Sequence, residues 1–146
     1  MTRQTYVELI EKQREELNAF PIAYAFNEEQ LKEALAKLGV TSPKECVSIM
    51  GHGDIVKKEN AKVFVDMCKR HRTEIMDAML ADEDFAEAAF LYEMDNHEYA
   101  INFDGDEDVL SCFGLIYAEL EELGLHDAYH RAARKHMKYA EEMGLF

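Results

Sequence analysis

Several groups of side chains in this chain have the types and spacings that perform chemistry. Glu93 and His97 lie four residues apart, which puts both on one helix face within hydrogen-bonding reach. Asn96, Glu98 and Tyr99 flank that histidine where the helix gives way to the next element. A zinc peptidase needs a second histidine four residues after His97, and Ile101 stands there. His126 and His130 are also four apart and, with Asp127 and His136, offer nitrogen and oxygen ligands. Two histidines make only part of a metal site, so they are weak metal candidates. The adjacent His126 and Asp127 do not make a His-Asp phosphohydrolase, because no later aspartate follows. Gly51, His52, Gly53 and Asp54 lack the lysine of a phosphate-binding loop. His52, Asp54 and the distant His71 would make an acid–base set only if the fold gathered them. A calcium loop started at Asn102 has Glu107 where glycine belongs and Phe113 where the bidentate glutamate belongs. No GxSxG elbow is present, and Cys68, three residues before His71, falls on an apolar stripe unsuited to a nucleophile. Each group also has a plain structural reading as a cap, a satisfied histidine or a solvated loop. On the alternative reading of a small pocket, the candidate catalytic residues are His52, Asp54, His71, His97 and Glu98.

The charge distribution is more informative. The 146 residues carry 30 acidic and 16 basic side chains, a formal charge of −14. Between Thr73 and His130 stand 17 of those acids and no lysine or arginine, and the bases cluster in Lys57 to Arg72 and Arg131 to Lys138. A solvated acidic face is one reading. The other is a surface shaped for a basic partner, because acids three and four apart on a helix have Cβ atoms about 5–6 Å apart and a row of them imitates a phosphate track. Such a row associates fast and loses affinity with salt. Its candidate binding residues are Asp82, Glu83, Asp84, Glu87, Asp104, Asp106, Glu107 and Asp108. The same charge argues against direct binding of nucleic acid or of an anionic membrane.

Hydrophobic periodicity indicates the elements that position these groups. Thr5 and Glu8 form a capping-box pair before a helix over Tyr6 to Ala19. Ile22 to Phe26 reads as a buried strand, and Asn27 with Gln30 opens a helix that Gly39 ends. Ser42, Pro43 and Glu45 start a helical turn. Cys46 to Met50 and Ile55 to Lys57 flank a glycine turn as a hairpin. Asn60 is expected to cap a helix running to Ala81, with a stripe of Phe64, Met67, Cys68, Ile75 and Met79. Asp82 to Asp84 suit the start of a helix reaching Met94 or His97, and Tyr99, Ile101 and Phe103 alternate as a strand. Helices follow over Val109 to Phe113, over Leu115 to Leu123, and from an Asp127 cap to Gly144. The fold class is α+β: a mainly helical single globular domain, residues 1–146, with a small antiparallel sheet of three or four short strands.

Phe20 to Asn27, the glycine turn before Ile55 to Lys58, and Tyr92, Glu93 with Asn96 to Tyr99 together resemble a family of small uncharacterised proteins of gut Firmicutes and their bacteriophages. The resemblance runs to about Phe113 and implies an intracellular, phage or mobile-element setting, with no activity and no functional residue to transfer. Met1 to Leu17 has no apolar signal-peptide core, no stretch nears the roughly 18 apolar residues of a membrane span, and Cys46, Cys68 and Cys112 lack a CxxC pair. We therefore expect a cytoplasmic chain with buried thiols and no cofactor. The expected function is non-enzymatic: an accessory factor whose acidic segment docks on a basic protein, in its sharpest form a nucleic-acid-binding host or defence protein. The alternative is a small enzyme or ligand-binding domain with a His/Asp/Glu pocket. The sequence leaves a homo-oligomer open.

Overall fold

The structure, a computed structural model, describes residues 5–145. Among them are seven α-helices and one three-stranded antiparallel sheet, so the chain is mainly helical α+β. In order the elements are α1 (Tyr6–Ala19), β1 (Ala23–Tyr24), α2 (Glu28–Leu38), β2 (Cys46–Val47), β3 (Asp54–Lys57), α3 (Lys58–Ala81), α4 (Glu83–Asn96), α5 (Gly105–Ser111), α6 (Glu119–Glu122) and α7 (His126–Glu142), with 3-10 turns at Pro43–Glu45 and Tyr99–Ile101. No described helix is long and apolar enough to cross a membrane. The chain divides into two compact units, one of residues 12–70, the other holding the described parts of 1–11 and 71–146.

The helix starts that depend on short-range bonds lie where the sequence puts them. The Glu8 amide donates to Thr5 Oγ1 and the Thr5 amide to Glu8 Oε2, closing the box ahead of α1. Asn27 accepts the Gln30 amide at 2.8 Å, and Gln30 Oε1 accepts the Phe26 amide at 2.8 Å. Gly39, at φ 71°, turns its amide back onto α2.

In the unit of residues 12–70 the strand order is β1-β3-β2, with Ala23 opposite Ile55 and Val47 opposite Val56. Successive residues of a strand face opposite sides, and β3 feeds two clusters in that way. Val56, fully buried, joins Ile22, Phe64 and Met67, while Ile55 packs against Ala23, Ala34 and Leu38. Gly53, at φ 80°, cannot carry a side chain: a Cβ there would lie 2.6 Å from the Phe26 ring.

In the other unit α4 packs along α7, and fully buried alanines on both helices, Ala86, Ala89 and Ala132 among them, allow close approach. Phe90 stands at the centre, its ring 5.2 Å from that of Phe113 and 5.1 Å from that of Tyr129, both edge-on.

Several elements depart from the expected pattern. Tyr99 to Phe103 is a 3-10 turn and loop, because its backbone finds partners without a neighbouring strand: the Ala100 amide donates to His136 Nε2 and the Ile101 amide to the Glu98 carbonyl. β3 runs straight into α3 at Lys58, so Asn60 is already helical and is no cap. Cys68 is exposed, one residue past the buried Met67 and off the stripe, and Cys112 is exposed too. The helix expected over Leu115 to Leu123 shrinks to α6, where Glu119 Oε1 accepts the Ile116 amide. Leu125, with its Asp127 neighbour in the first turn, precedes α7 in place of an Asp127 cap.

Candidate functional site

The end of α4 builds the most compact chemical cluster. Glu93 is buried on α4 and His97 is the residue that caps the helix, its amide donating to the Glu93 carbonyl. Cys112 caps the end of α5, which packs against α4. The Cys112 thiol donates to Glu93 Oε2 at 3.2 Å and lies 3.4 Å from His97 Nε2, which is 3.5 Å from the same carboxylate oxygen. Glu93 Oε1 accepts the Tyr6 hydroxyl at 3.0 Å. Among the described residues this is the one group of three ligand-type side chains whose donor atoms all lie within 4.8 Å of one another. The sequence offered the Glu93/His97 half through its helical spacing; Cys112, 15 positions beyond His97, has no local signal.

The cluster is not built as a nucleophile triad. A base that activates sulfur is oriented by a third group at its far nitrogen, whereas Glu93 meets the same Nε2 that faces the sulfur. Burial and the adjoining Glu93 carboxylate also push the Cys112 thiol up to about 12, which keeps it protonated at neutral pH.

The other expected site residues are placed as follows. Asp54 is 1 % exposed and accepts from Ser48 Oγ at 2.9 Å and from the amides of Ile49, Met50 and His52 at 2.8, 3.1 and 3.3 Å. Desolvation acts to raise its pKa, but those four donors together hold it well below the usual carboxylate range. Its oxygens are committed to the turn, a structural task. His52 is exposed beside it, and His71 belongs to the other unit. Glu98 is exposed in the left-handed region, at φ 50°, where it turns the chain out of α4. The His126 and His130 rings lie with centroids 4.3 Å apart, tilted by 47°, and His130 Nε2 lies 2.6 Å from the Tyr117 hydroxyl. Asp127 Oδ1 lies 3.4 Å from His126 Nδ1, but among the described residues these histidines are not part of any set of three donor atoms that all lie within 4.8 Å of one another.

The acidic segment is partly neutralised within its own unit. Arg131 Nε and Lys135 Nζ on α7 donate to the two oxygens of Glu87 at 2.9 and 2.8 Å, and Arg131 Nη2 lies 3.6 Å from Glu83 Oε2. The Lys135 bond first, then Arg131, outweighs burial and lowers the Glu87 pKa. Asp82 caps α4, accepting the Asp84 amide at 2.9 Å. Asp106 accepts the hydroxyls of Tyr99, at 2.8 Å, and Tyr129; burial and Asp106 push the Tyr99 phenol up to about 12. Asn102 Nδ2 donates to Asp108 Oδ2 at 2.9 Å and to the His97 carbonyl at 3.0 Å, and its Oδ1 accepts the Asp104 amide at 2.9 Å. These bonds pin the loop ahead of α5 and the first turn of that helix, where Asp104 and Glu107 are exposed and Phe103 is 108 % exposed.

His136 locks the same region from below. Its Nδ1 bonds Asp95 Oδ1 at 2.8 Å and its Nε2 accepts the Ala100 amide at 3.0 Å, so the imidazole is the Nδ1–H tautomer. Replacing His136, 4 % exposed, by alanine leaves that amide without its acceptor and should cost about 1–3 kcal/mol in urea unfolding.

No curated protein matches the chain, and no solved structure does. Its kinship lies instead with a sequence family that takes in the pinned acidic loop and all three residues of the α4–α5 cluster: over residues 5–135 the chain belongs to a family of unknown function, DUF7659.

Proposed function

We propose that this protein is a non-enzymatic binding protein that docks on a basic partner through residues 101–108, the loop ahead of α5 together with the first turn of that helix. The observation that carries this reading is Phe103, which projects completely into solvent between a half-exposed Ile101 and the exposed carboxylates of Asp104 and Glu107. Leaving a phenylalanine in water forgoes about 1.5–3 kcal/mol of burial, and the hydrogen bonds of Asn102 and Asp106 hold the loop in one shape in advance of binding. The complementary surface is an apolar pocket rimmed by lysine and arginine. A nucleic-acid-binding protein presents such a rim, and a bacterial or phage setting is the one its sequence resemblance suggests. Glu87 is excluded from the docking set because α7 already pairs it.

Affinity capture from host lysate, followed by binding of the purified partner, tests the reading. A basic protein should bind at low salt, weaken as salt rises, and lose at least tenfold in affinity to Phe103→Ala combined with Asp104→Lys and Glu107→Lys. Glu87→Gln should bind as the wild type does. Retention that ignores both salt and the loop variant would show that the loop does not dock. Competition by added DNA or RNA separates a partner gripped at its nucleic-acid site from one gripped elsewhere.

A further inference from the structure

None of the side chains clustered at the ends of α4 and α5 is in that docking set, and their geometry has a separate meaning. We propose that Glu93, His97 and Cys112 form a binding site for a zinc-class divalent ion, with the fourth coordination position open to solvent. A tetrahedral zinc ion with bonds of about 2.0–2.3 Å holds its ligand atoms about 3.3–3.6 Å apart. Glu93 Oε2, His97 Nε2 and Cys112 Sγ are 3.5, 3.2 and 3.4 Å apart, taken as oxygen to nitrogen, oxygen to sulfur and nitrogen to sulfur. Each separation is within about 0.3 Å of the corresponding edge, so the three donor atoms from three residues outline one face of such a tetrahedron.

The surroundings support the same assignment. The Tyr6 hydroxyl bonds the other oxygen of Glu93 and fixes the carboxylate orientation, as outer partners of metal ligands do. His97 and Cys112 each terminate a helix, so the carbonyl ends of α4 and α5, which favour positive charge, lie at the site. The His97 side chain is 36 % exposed and Cys112 is exposed, which leaves a route for an ion and a place for a water on the open side. A sulfur donor disfavours magnesium and calcium, which take oxygen ligands, and a mixed sulfur, nitrogen and oxygen set suits zinc or its cobalt(II) substitute. Binding exchanges the Cys112 thiol proton, which leaves to solvent, for the metal–sulfur bond. Three protein ligands with one open position are the pattern of zinc sites that hold a water, in contrast to the four-ligand structural sites.

Cobalt(II) titration of reduced, chelator-stripped protein tests this. One equivalent should produce the visible bands of tetrahedral cobalt together with a thiolate-to-cobalt charge-transfer band, and zinc should displace both. Cys112→Ser should abolish the charge-transfer band, His97→Gln should weaken binding at least tenfold, and Tyr6→Phe should weaken it about tenfold. Cys68→Ser and the pair His126→Ala with His130→Ala should leave the spectrum unchanged. As a measurement independent of any variant, zinc should protect Cys112 of the wild-type protein from alkylation, read on the peptide by mass spectrometry. The proposal fails if no charge-transfer band forms at stoichiometric cobalt, if the band survives Cys112→Ser, if it vanishes with His126 and His130, or if zinc gives Cys112 no protection.

Discussion

Phe90→Ala should destabilise the unit that contains it by about 3–5 kcal/mol, the range of aromatic deletions from closed cores. Phe90 is wholly buried, and its ring makes edge-on contacts with both Phe113 and Tyr129; such pairs add about 0.5–1.5 kcal/mol each beyond the area they bury. The alanines that bring α4 and α7 together have no side chain long enough to fill the space left behind. Phe90→Leu keeps most of the volume and should lose clearly less. Urea unfolding followed by the near-ultraviolet signal of the tyrosines measures both. A loss under about 1.5 kcal/mol for the alanine variant would mean that the helices collapse onto the gap, contrary to a close-packed centre.

The second large effect concerns Asp54. Asp54→Ala removes the acceptor of three backbone amides and one hydroxyl, and with bonds to a charged group worth about 1.5–3 kcal/mol the expected net loss is about 3 kcal/mol at pH 7. The sign of its pH dependence follows from the depressed folded-state pKa. Below the unfolded aspartate value of about 3.9, the unfolded chain takes up a proton that the folded chain still refuses. The contribution is therefore complete above about pH 5 and is lost progressively as pH falls through 4 toward the folded pKa. The gap between wild type and Asp54→Asn should accordingly be largest at neutral pH and smaller at pH 3, and hydrogen exchange of the Ile49 and Met50 amides should quicken in the variant. Equal gaps at the two pH values would rule out an ionised, hydrogen-bonded Asp54 as the hub of that turn.

What was readable in advance was local. The start of α1, the Asn27 start of α2, the Ser42 turn and the Asp82 start of α4 all rest on a side chain meeting an amide two or three residues away, so the residue types suffice to place them. The same local logic misled at Tyr99, Ile101 and Phe103. Their alternation is that of a strand, yet the Ala100 amide is taken by His136, 36 residues on, and a period-two pattern cannot signal a competing acceptor from another helix. Cys68 shows a milder form of this: helical spacing allowed it a place on the buried face, and only the packing of Phe64 and Met67 shows that the face ends before it.

The candidate sites divide in the same way. Glu93 and His97 could be paired from their spacing, because one helical turn fixes the distance between them. The arrival of Cys112 depends on the bends from Glu98 to Asp104 and on how α5 settles against α4, which no spacing encodes. Likewise the sequence by itself determined that 17 carboxylates follow one another from Thr73 to His130 without a lysine or arginine. Only the tertiary structure decided which of them meet solvent. Glu87 faces Arg131 and Lys135 from the far end of the chain, Asp106 serves two tyrosines, and Asp104 and Glu107 remain exposed beside Phe103. The reason is physical: net charge and helix starts are sums over near neighbours, whereas the fate of each carboxylate is set by which element buries against which.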